Sequence, residues 1–309
     1  MTPPLPIVAV VGPTATGKSD LGVALAHAVG GEIVNADASQ LYRGMDIGTA
    51  KLTPAERQGV PHHLLDVLDV RDEASVAAYQ RDARAAIADV RGRGNVPILV
   101  GGSGLYVRAA LDDLRIPPTD PVVRARWEER LAAVGPEALH RQLAAADPGA
   151  AGQIHPTNGR RIVRALEVIE LTGEPFSATM PVREFVAPAV LVGLRIDRPT
   201  LRARITARID RMWRAGLLEE VRELDRCGLR EGRTASRAIG YAQALQQLDG
   251  ILSEQQAKDE TAALTRKFAK RQRSWFRPDP RIHWLPHDTE DLLEQSLTIV
   301  RGAGTPSRR

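Results

Sequence analysis

The sequence predicts an α/β protein, a parallel sheet flanked by helices and carrying a helical insertion domain. Three observations lead there. Residues 7–11, IVAVV, form an unbroken β-branched apolar run, the pattern of a parallel strand covered on both faces. A glycine-rich turn and a helix pattern follow at once, and strand and helix patterns go on alternating, as crossover connections require. Between about 114 and 190 the strand pattern disappears and only helix patterns remain.

Taken in order, the helix after the first turn covers SDLGVALAHAVGG and is closed by glycines. EIVNAD at 32–37 is a short second strand, 75–93 is a helix ending at a Gly-Arg-Gly-Asn turn, and VPILVGG at 96–102 is another buried strand. Beyond Pro117-Pro118 come the helix patterns VVRARWEERLAAVG, EALHRQLAAAD and NGRRIVRALEVIELTG. VLVGLRID at 190–197 returns as a strand. Residues 198–215 are a long arginine-rich helix, followed by helix patterns at 217–228, within 235–250, and at 254–276. IHWLP at 282–286 is strand-like, and a last helix lies near 290–301. The expected division is a core at 1–113, an insertion at 114–190, a core continuation with basic helices at 191–300, and a frayed tail at 301–309.

Composition narrows the class. With 309 residues, 43% hydrophobic and 26% charged, the chain can bury a sizeable core, which excludes a disordered, collagenous or disulfide-stapled protein. The net charge of +4 is unevenly spread. Residues 1–112 hold 10 Lys/Arg against 12 Asp/Glu, residues 113–190 hold 9 against 10, and residues 191–309 hold 23 against 16. Nearly all of the excess is arginine, the side chain suited to bidentate phosphate contacts and to stacking on bases. The single cysteine, Cys227, allows no internal disulfide and no cysteine zinc site, and is read as a bystander. No apolar run reaches membrane length, so a cytoplasmic protein without membrane contact is expected. Nothing in the sequence calls for a dimer, and a monomer is expected.

Gly12-Pro13-Thr14-Ala15-Thr16-Gly17-Lys18-Ser19 fits G-x-x-x-x-G-K-[ST] between a strand and a helix, the context that gives the pattern its meaning. The fold is therefore P-loop NTPase-like. The two glycines let the backbone wrap a phosphate with its N–H groups inward, and the helix adds its positive end. Lys18 brings an ammonium to the same oxygens, and the Ser19 hydroxyl can ligate a Mg²⁺ ion bridging them. The loop specifies a diphosphate or triphosphate without saying which. A hydrolytic NTPase would also place a carboxylate at a strand end. Here VPILV runs instead into Gly101-Gly102-Ser103-Gly104-Leu105-Tyr106, and LLDVLD at 64–69 offers Asp66 or Asp69 only weakly.

Asp37 follows the second strand. The C-terminal ends of parallel strands face the phosphate site, so Asp37 belongs beside the loop, as a metal ligand, a general base or a turn residue. His62-His63 is not read as a metal site, because adjacent side chains diverge and no third ligand has clear spacing.

At this point the chain resembles a known family. GPTATGKS, NADASQLYRGMDIGTAK, PHHLLD, ILVGGSGLY, IHPTNGRRIVRALEV, SRAIGYAQAL and TRKFAKRQRSWFR occur in that order over residues 5–285. Together they resemble the bacterial tRNA dimethylallyltransferases, with GMDIGTAK and GRRIVRALEV more specific than the phosphate loop. The resemblance implies transfer of a dimethylallyl group from dimethylallyl diphosphate to N6 of the adenosine 3′ of the anticodon in tRNA, releasing diphosphate. It implies that Asp37 takes a proton from the amine and that Ser103 contacts the substrate nucleotide, with serine where threonine is commoner in the family. Such chemistry needs a phosphate loop but no NTPase acid. Lys18, Ser19, Mg²⁺ and the loop amides would stabilise the leaving diphosphate. Arg204 and Arg208, four apart on one helix face, could face the same phosphates.

By the same resemblance, the tRNA anticodon stem-loop would be contacted by the insertion domain and by residues elsewhere. Candidates are Asp37, Ala38, Ser39 and Gln40, Ser103, the arginines Arg160, Arg161 and Arg164, and Arg124 or Arg126. Further along they are Arg237 and Tyr241, then Arg266, Lys270 and Arg271. An adenine must leave its stack to reach a buried donor. Residues 266–277 interleave bases and aromatics as single-strand RNA binders do, yet Phe268, Trp275 and Phe276 also fit a helix core, the reading favoured here. Asp46 and Asp66 could reach the metal through water. The chain lacks the Cys/His cluster of a zinc finger carried by eukaryotic relatives, which favours the bacterial type. Two other readings are a small-molecule P-loop kinase, which would need a metal-binding acid at a strand end, and an ATP-gated RNA-binding protein, which would not need Asp37.

Overall fold

The computed structural model describes residues 6–179 and 183–303, the side chains of 178 and 179 excepted. Two compact units result, one from the chain up to Leu111 and from Phe185 onward, the other from Asp112–Glu184.

The first unit is built on six parallel strands in the order β3-β2-β4-β1-β5-β6. They are β1 Ile7–Val11, β2 Gly31–Asn35, β3 His62–His63, β4 Val96–Gly101, β5 Ala189–Arg195 and β6 Ile282–Pro286. β1 is central. Its Val8 is in register with Ile98 of β4 and Val190 of β5, and every residue of β1 and β4 is buried, as their unbroken apolar runs require. Chain order reverses across β1: its own crossover leads toward β2, while the strands after the insertion build the other side. That is where open α/β sheets leave a crevice beyond their strand ends.

Helices α1 Lys18–Val29, α2 Val76–Gly92 and α3 Gly104–Leu111 belong to the first half of this unit. Leu21, Val23 and Leu25 of α1 share a core with Val8, Val10, Ile98, Val100 and Val192 of the sheet. After β5 come α8 Arg198–Arg214 and α9 Leu217–Arg226, then α10 Tyr241–Leu248 and α11 Glu254–Phe276. Ile205, Ile209, Trp213, Leu217, Val221 and Tyr241 form their core, joined by Tyr42 and Met45 from the segment after β2. α12 Leu292–Ala303 returns Leu297 and Val300 to the sheet core.

The second unit holds α4 Pro121–Val134, α5 Pro136–Ala146, α6 Pro148–Gln153 and α7 Gly159–Thr172. Asp120, Asp147 and Asn158 cap three of these helices by accepting backbone N–H groups of the first turn. Leu139, Leu143, Ile154, Ile162 and Leu166 make its core. Glu167 lies buried among Thr119 Oγ1 (2.6 Å), Asp120 N (3.0 Å), Arg124 Nη2 (2.7 Å) and Arg164 Nη1 (2.9 Å), all of which donate to it.

Several boundaries move from their expected places. The insertion is shorter than 114–190, because Val186 N already donates to Leu111 O and β5 begins at Ala189. Helix α12 continues to Ala303, so the tail does not begin at 301, and 304–309 lie outside the described residues. Residues 235–250 divide into a short 3-10 turn at Ala235–Arg237 and α10, separated at Gly240, whose φ of 95° no helix accepts. The strands and helices absent from the sequence reading are β3, α3 and α6, all too short for a periodic pattern.

Candidate active site

The phosphate loop begins where β1 ends. Gly12 has φ 138°, and a Cβ there would lie 2.7 Å from the carbonyl oxygen of Leu194, so only glycine lets the loop leave the sheet beside β5. Gly17, at φ 88°, caps α1, and Ala15 holds a left-handed φ of 63°, the kind of local strain that collects at ligand clamps. Thr16 Oγ1 and Lys18 Nζ both donate to Pro13 O, at 2.9 and 2.7 Å, and brace the loop from inside. Burial brings the Lys18 ammonium down to about 8 from 10.5, against the pull of Asp37 and with the help of nearby Arg208.

The loop forms one wall of a cavity of about 810 Å³ at the C-terminal edge of β1, β2 and β4. Thr14 to Asp20, Asp37, Gln40, Gly101, Gly102, Arg204 and Arg208 line it. Arg208 Nη1 donates to Thr14 Oγ1 (3.0 Å) and its Nη2 to Thr49 O (3.3 Å), while Arg204 Nη1 reaches Ala15 O (3.4 Å). Burial lowers the Arg208 pKa, Asp37 opposes the shift, and Arg211 adds to it. A lysine, two arginines and a helix N-terminus around one space make a site for a multiply charged anion. The Ser19 hydroxyl and the Asp37 carboxylate face the same space. Both are hard oxygen donors, the set that Mg²⁺ prefers when it keeps part of its water shell.

Asp37 is fixed by short local bonds. Its N–H donates to Asn35 Oδ1 (2.9 Å), its carbonyl accepts from Asn35 Nδ2 (3.0 Å), and its Oδ1 accepts from Ser39 N (3.0 Å). Behind it Tyr79 and Tyr106 stack with ring centroids 4.1 Å apart, and Tyr79 Oη donates to Asn35 O. Burial, with smaller contributions from Tyr42 and Asp37, pushes the Tyr106 phenol up to about 12, so both rings stay neutral beside the carboxylate. Ser103 stands just outside the cavity wall, half-buried, and its N–H donates to Ala36 O (3.3 Å), tying the end of β4 to the residue before Asp37.

The segment 44–51 has a partner that the sequence reading missed. Glu220 of α9 accepts N–H bonds from Asp46 (3.2 Å), Ile47 (2.8 Å) and Gly48 (3.3 Å), and a fourth bond from Tyr241 Oη (2.6 Å). A Cβ on Gly48 would fall 2.4 Å from the Tyr241 ring, which explains the glycine in GMDIGTAK. The loop thus held turns Thr49 O toward Arg208 and toward Gln40 Nε2 (3.1 Å). Lys51 Nζ, almost fully buried, bonds Tyr42 O, Asp46 and Asp66. Asp46 and Asp66 are therefore lysine partners in this structure. Tyr241, expected to touch RNA, is instead fully buried in the α8–α11 core and cannot do so.

Other expected RNA contacts divide in the same way. Arg124 and Arg164 are bound to buried Glu167, Arg164 also donates to Pro117 O and Pro118 O, and Arg126 pairs with Glu170. Through Glu167, Arg124 and Arg164 serve the fold of the second unit, whereas the Arg126 side chain stays 62% exposed. Arg160 and Arg161 are exposed at the start of α7. In the first unit Arg237, Lys270 and Arg271 are exposed and Arg266 is half-buried, with Arg271 5.7 Å from the Phe268 ring centroid. Ala38, Ser39 and Gln40 form the 3-10 turn after Asp37. Phe276 is core, as expected, but Trp275 is 47% exposed, over Gly104, where a Cβ would lie 1.9 Å from its Cδ1. Gln272, unremarked in the sequence, is buried between the two halves of the site. The four-residue spacing of Phe268 and Gln272, with Trp275 three further on, was the signal that one face of α11 runs along the site. His62 and His63 diverge, one toward Val60 O and the other toward Glu32. Cys227 is exposed. Among the described residues no helix is long and apolar enough to cross a membrane.

Comparison with known proteins agrees over nearly the whole chain. The sequence model of the family described as IPP transferase matches residues 40–279. A tRNA dimethylallyltransferase of Kineococcus radiotolerans is 66% identical over 308 residues, covering 96% of this chain and 97% of its own. One from Thermobifida fusca is 62% identical over 299 residues, covering 95% and 94%. Among solved structures, the full-length tRNA isopentenylpyrophosphate transferase of Bacillus halodurans superposes with TM-score 0.71 at 39% identity, over 97% of this chain and 96% of that one. A eukaryotic dimethylallyltransferase captured acting on tRNA superposes with TM-score 0.79 at 27% identity, over 96% and 76%.

Proposed function

The chain belongs to the IPP transferase family and is a transferase, and from that premise we propose that it moves a dimethylallyl group from dimethylallyl diphosphate to N6 of the adenosine 3′ of the anticodon in tRNA. The observation that carries the reading is the convergence of Asp37, Lys18, Ser19, Arg204 and Arg208 on one cavity, with no carboxylate at the end of β4. That arrangement holds a diphosphate and supplies a base, and offers little to NTP hydrolysis.

The diphosphate lies along the loop amides, Lys18 and the two arginines. Mg²⁺, held through Ser19 and water, would add positive charge to the leaving oxygens. The N6 amine attacks the allylic carbon, the carbon–oxygen bond breaks, and its electrons leave with the diphosphate. The amine proton passes to the Asp37 carboxylate, which the Asn35 and Ser39 bonds aim. An exocyclic amine is a weak nucleophile, since its lone pair is delocalised into the ring, and proton removal raises its reactivity. Cationic groups fixed before the reaction stabilise the charge that develops on the leaving group. Ser103, whose N–H is tied to Ala36 O, would orient the flipped nucleotide. The exposed Arg160 and Arg161 of one unit, and Arg237, Lys270 and Arg271 of the other, supply phosphate contacts. A tRNA substrate puts the enzyme in the cytoplasm.

The test is transfer of label from dimethylallyl diphosphate to an unmodified tRNA bearing the loop adenosine, with Mg²⁺ present. Label in the adenosine is the expected result. No transfer, together with tight ATP binding, overturns the reading.

A further inference from the structure

Gln272 of α11 is 5% exposed and bridges two segments that are far apart in sequence. Its Oε1 accepts from Thr14 N at 2.9 Å, and its Nε2 donates to Gly102 O at 3.0 Å. The partners fix the orientation of the amide, because one is a donor and the other an acceptor. A Cβ on Gly102 would lie 2.1 Å from Nε2, so the residue that follows β4 is a glycine where the amide must fit. Thr14 belongs to the phosphate loop. Gly102 precedes Ser103, whose N–H is bound to Ala36 O beside Asp37. Gln272 is therefore a buried side-chain link joining the loop that would hold the donor to the strand end that carries the acceptor side.

We propose that Gln272 is a positioning residue that sets the distance between donor diphosphate and acceptor amine; this rests on the transfer reaction proposed above. Its amide bonds Thr14 N and Gly102 O and is not among the groups that line the cavity. It acts through Thr14 and Gly102. An attack distance is sensitive to sub-ångström shifts, whereas substrate affinity is spread over many contacts. Loss of the link should therefore fall on kcat and spare both KM values.

The experiment compares wild type, Gln272→Met and Gln272→Glu. Methionine keeps the length and removes both hydrogen bonds. Glutamate keeps an acceptor for Thr14 N and sets an oxygen against Gly102 O. Steady-state and single-turnover transfer are measured per folded molecule, with folded fraction from thermal unfolding and tRNA affinity from direct binding. The expected result is a kcat lower by about tenfold or more in both variants, with KM values and tRNA affinity within about twofold of wild type. Wild-type kcat in either folded variant overturns the proposal. So does a loss that vanishes once corrected for folded fraction, which is what a purely structural role gives, and so does a rise in donor KM at unchanged kcat. If one variant does not fold, the other decides. If the wild type itself transfers nothing, the functional reading has failed, and this proposal fails with it.

Discussion

Tyr241 Oη donates to Glu220 Oε1 at 2.6 Å, and this contact between a fully buried phenol and a half-buried carboxyl group holds a loop that reaches the cavity. Glu220 takes three backbone N–H groups of residues 46–48 as well, so one carboxylate terminates a whole turn. The turn ends in Thr49, whose carbonyl meets Arg208. A tyrosine remote from the diphosphate loop thus bears on the position of an arginine that faces it.

Tyr241→Phe deletes the hydrogen bond that a fully buried phenol donates to Glu220, a loss of about 0.5–1.5 kcal/mol. The expected outcome is a lower unfolding temperature and a lower kcat, with tRNA affinity retained, since Tyr241 is not at the surface. Gly48→Ala must displace the same ring, and overpacking of this kind costs about 1–3 kcal/mol. Thermal unfolding and transfer kinetics on the two variants check this. A Tyr241→Phe protein of wild-type stability that loses tRNA binding would restore Tyr241 to the RNA surface.

Lys18 gives the donor a pH dependence. Its ammonium is lost as pH rises through about 8, because burial disfavours the charge. The donor kcat/KM is expected to fall above that pH, by up to about tenfold per unit. Folding has the opposite sign. From about 8 to 10.5 the unfolded chain keeps a proton that the folded chain has released, so the contribution of Lys18 to stability rises across that window. Lys18→Arg stays charged throughout, and its kcat/KM profile should lack the alkaline fall.

Glu167 and Arg160 allow a folding role and the proposed RNA contact of the second unit to be tested apart. Burial pushes the Glu167 carboxyl up, but the bonds from Thr119, Arg124, Arg164 and Asp120 outweigh it and hold the group at about 2. Its stabilisation is fully present above the ordinary value of 4.5 and is lost as pH falls through about 2. Glu167→Ala leaves two guanidinium groups without their anion and is expected to cost about 3–5 kcal/mol. Arg160→Ala should leave stability unchanged, weaken tRNA binding, and reduce the log–log salt slope by about one. Binding titrations at several salt concentrations, run beside thermal unfolding, distinguish the two. An unchanged slope would remove Arg160 from the phosphate contacts.

How far the sequence carries differs between the sheet and the site. IVAVV, VPILV and the VLVGL of VLVGLRID are uninterrupted apolar runs, and they form β1, β4 and β5 because both faces are covered. GPTATGKS was readable because its glycines answer a local backbone demand. By contrast β3 is only two residues long, and its existence depends on pairing with β2 rather than on any pattern of its own. The same limit explains the arginines. Arg124 and Arg160 look alike in sequence, and only tertiary structure shows that the first is paired with Glu167 while the second is exposed at the start of α7. Tyr241 and Trp275 were misassigned in opposite directions for one reason. An aromatic on an amphipathic helix can face core or solvent, and neighbouring elements decide which.

The most direct test bears on Asp37. Asparagine at this position can still accept from Ser39 N, so the turn that aims the side chain survives while the capacity to take a proton is lost. In single-turnover transfer from dimethylallyl diphosphate to tRNA, Asp37→Asn is expected to be slower by about 10²–10⁴-fold with tRNA affinity retained. A single-turnover rate equal to wild type would contradict the role of Asp37 as the base.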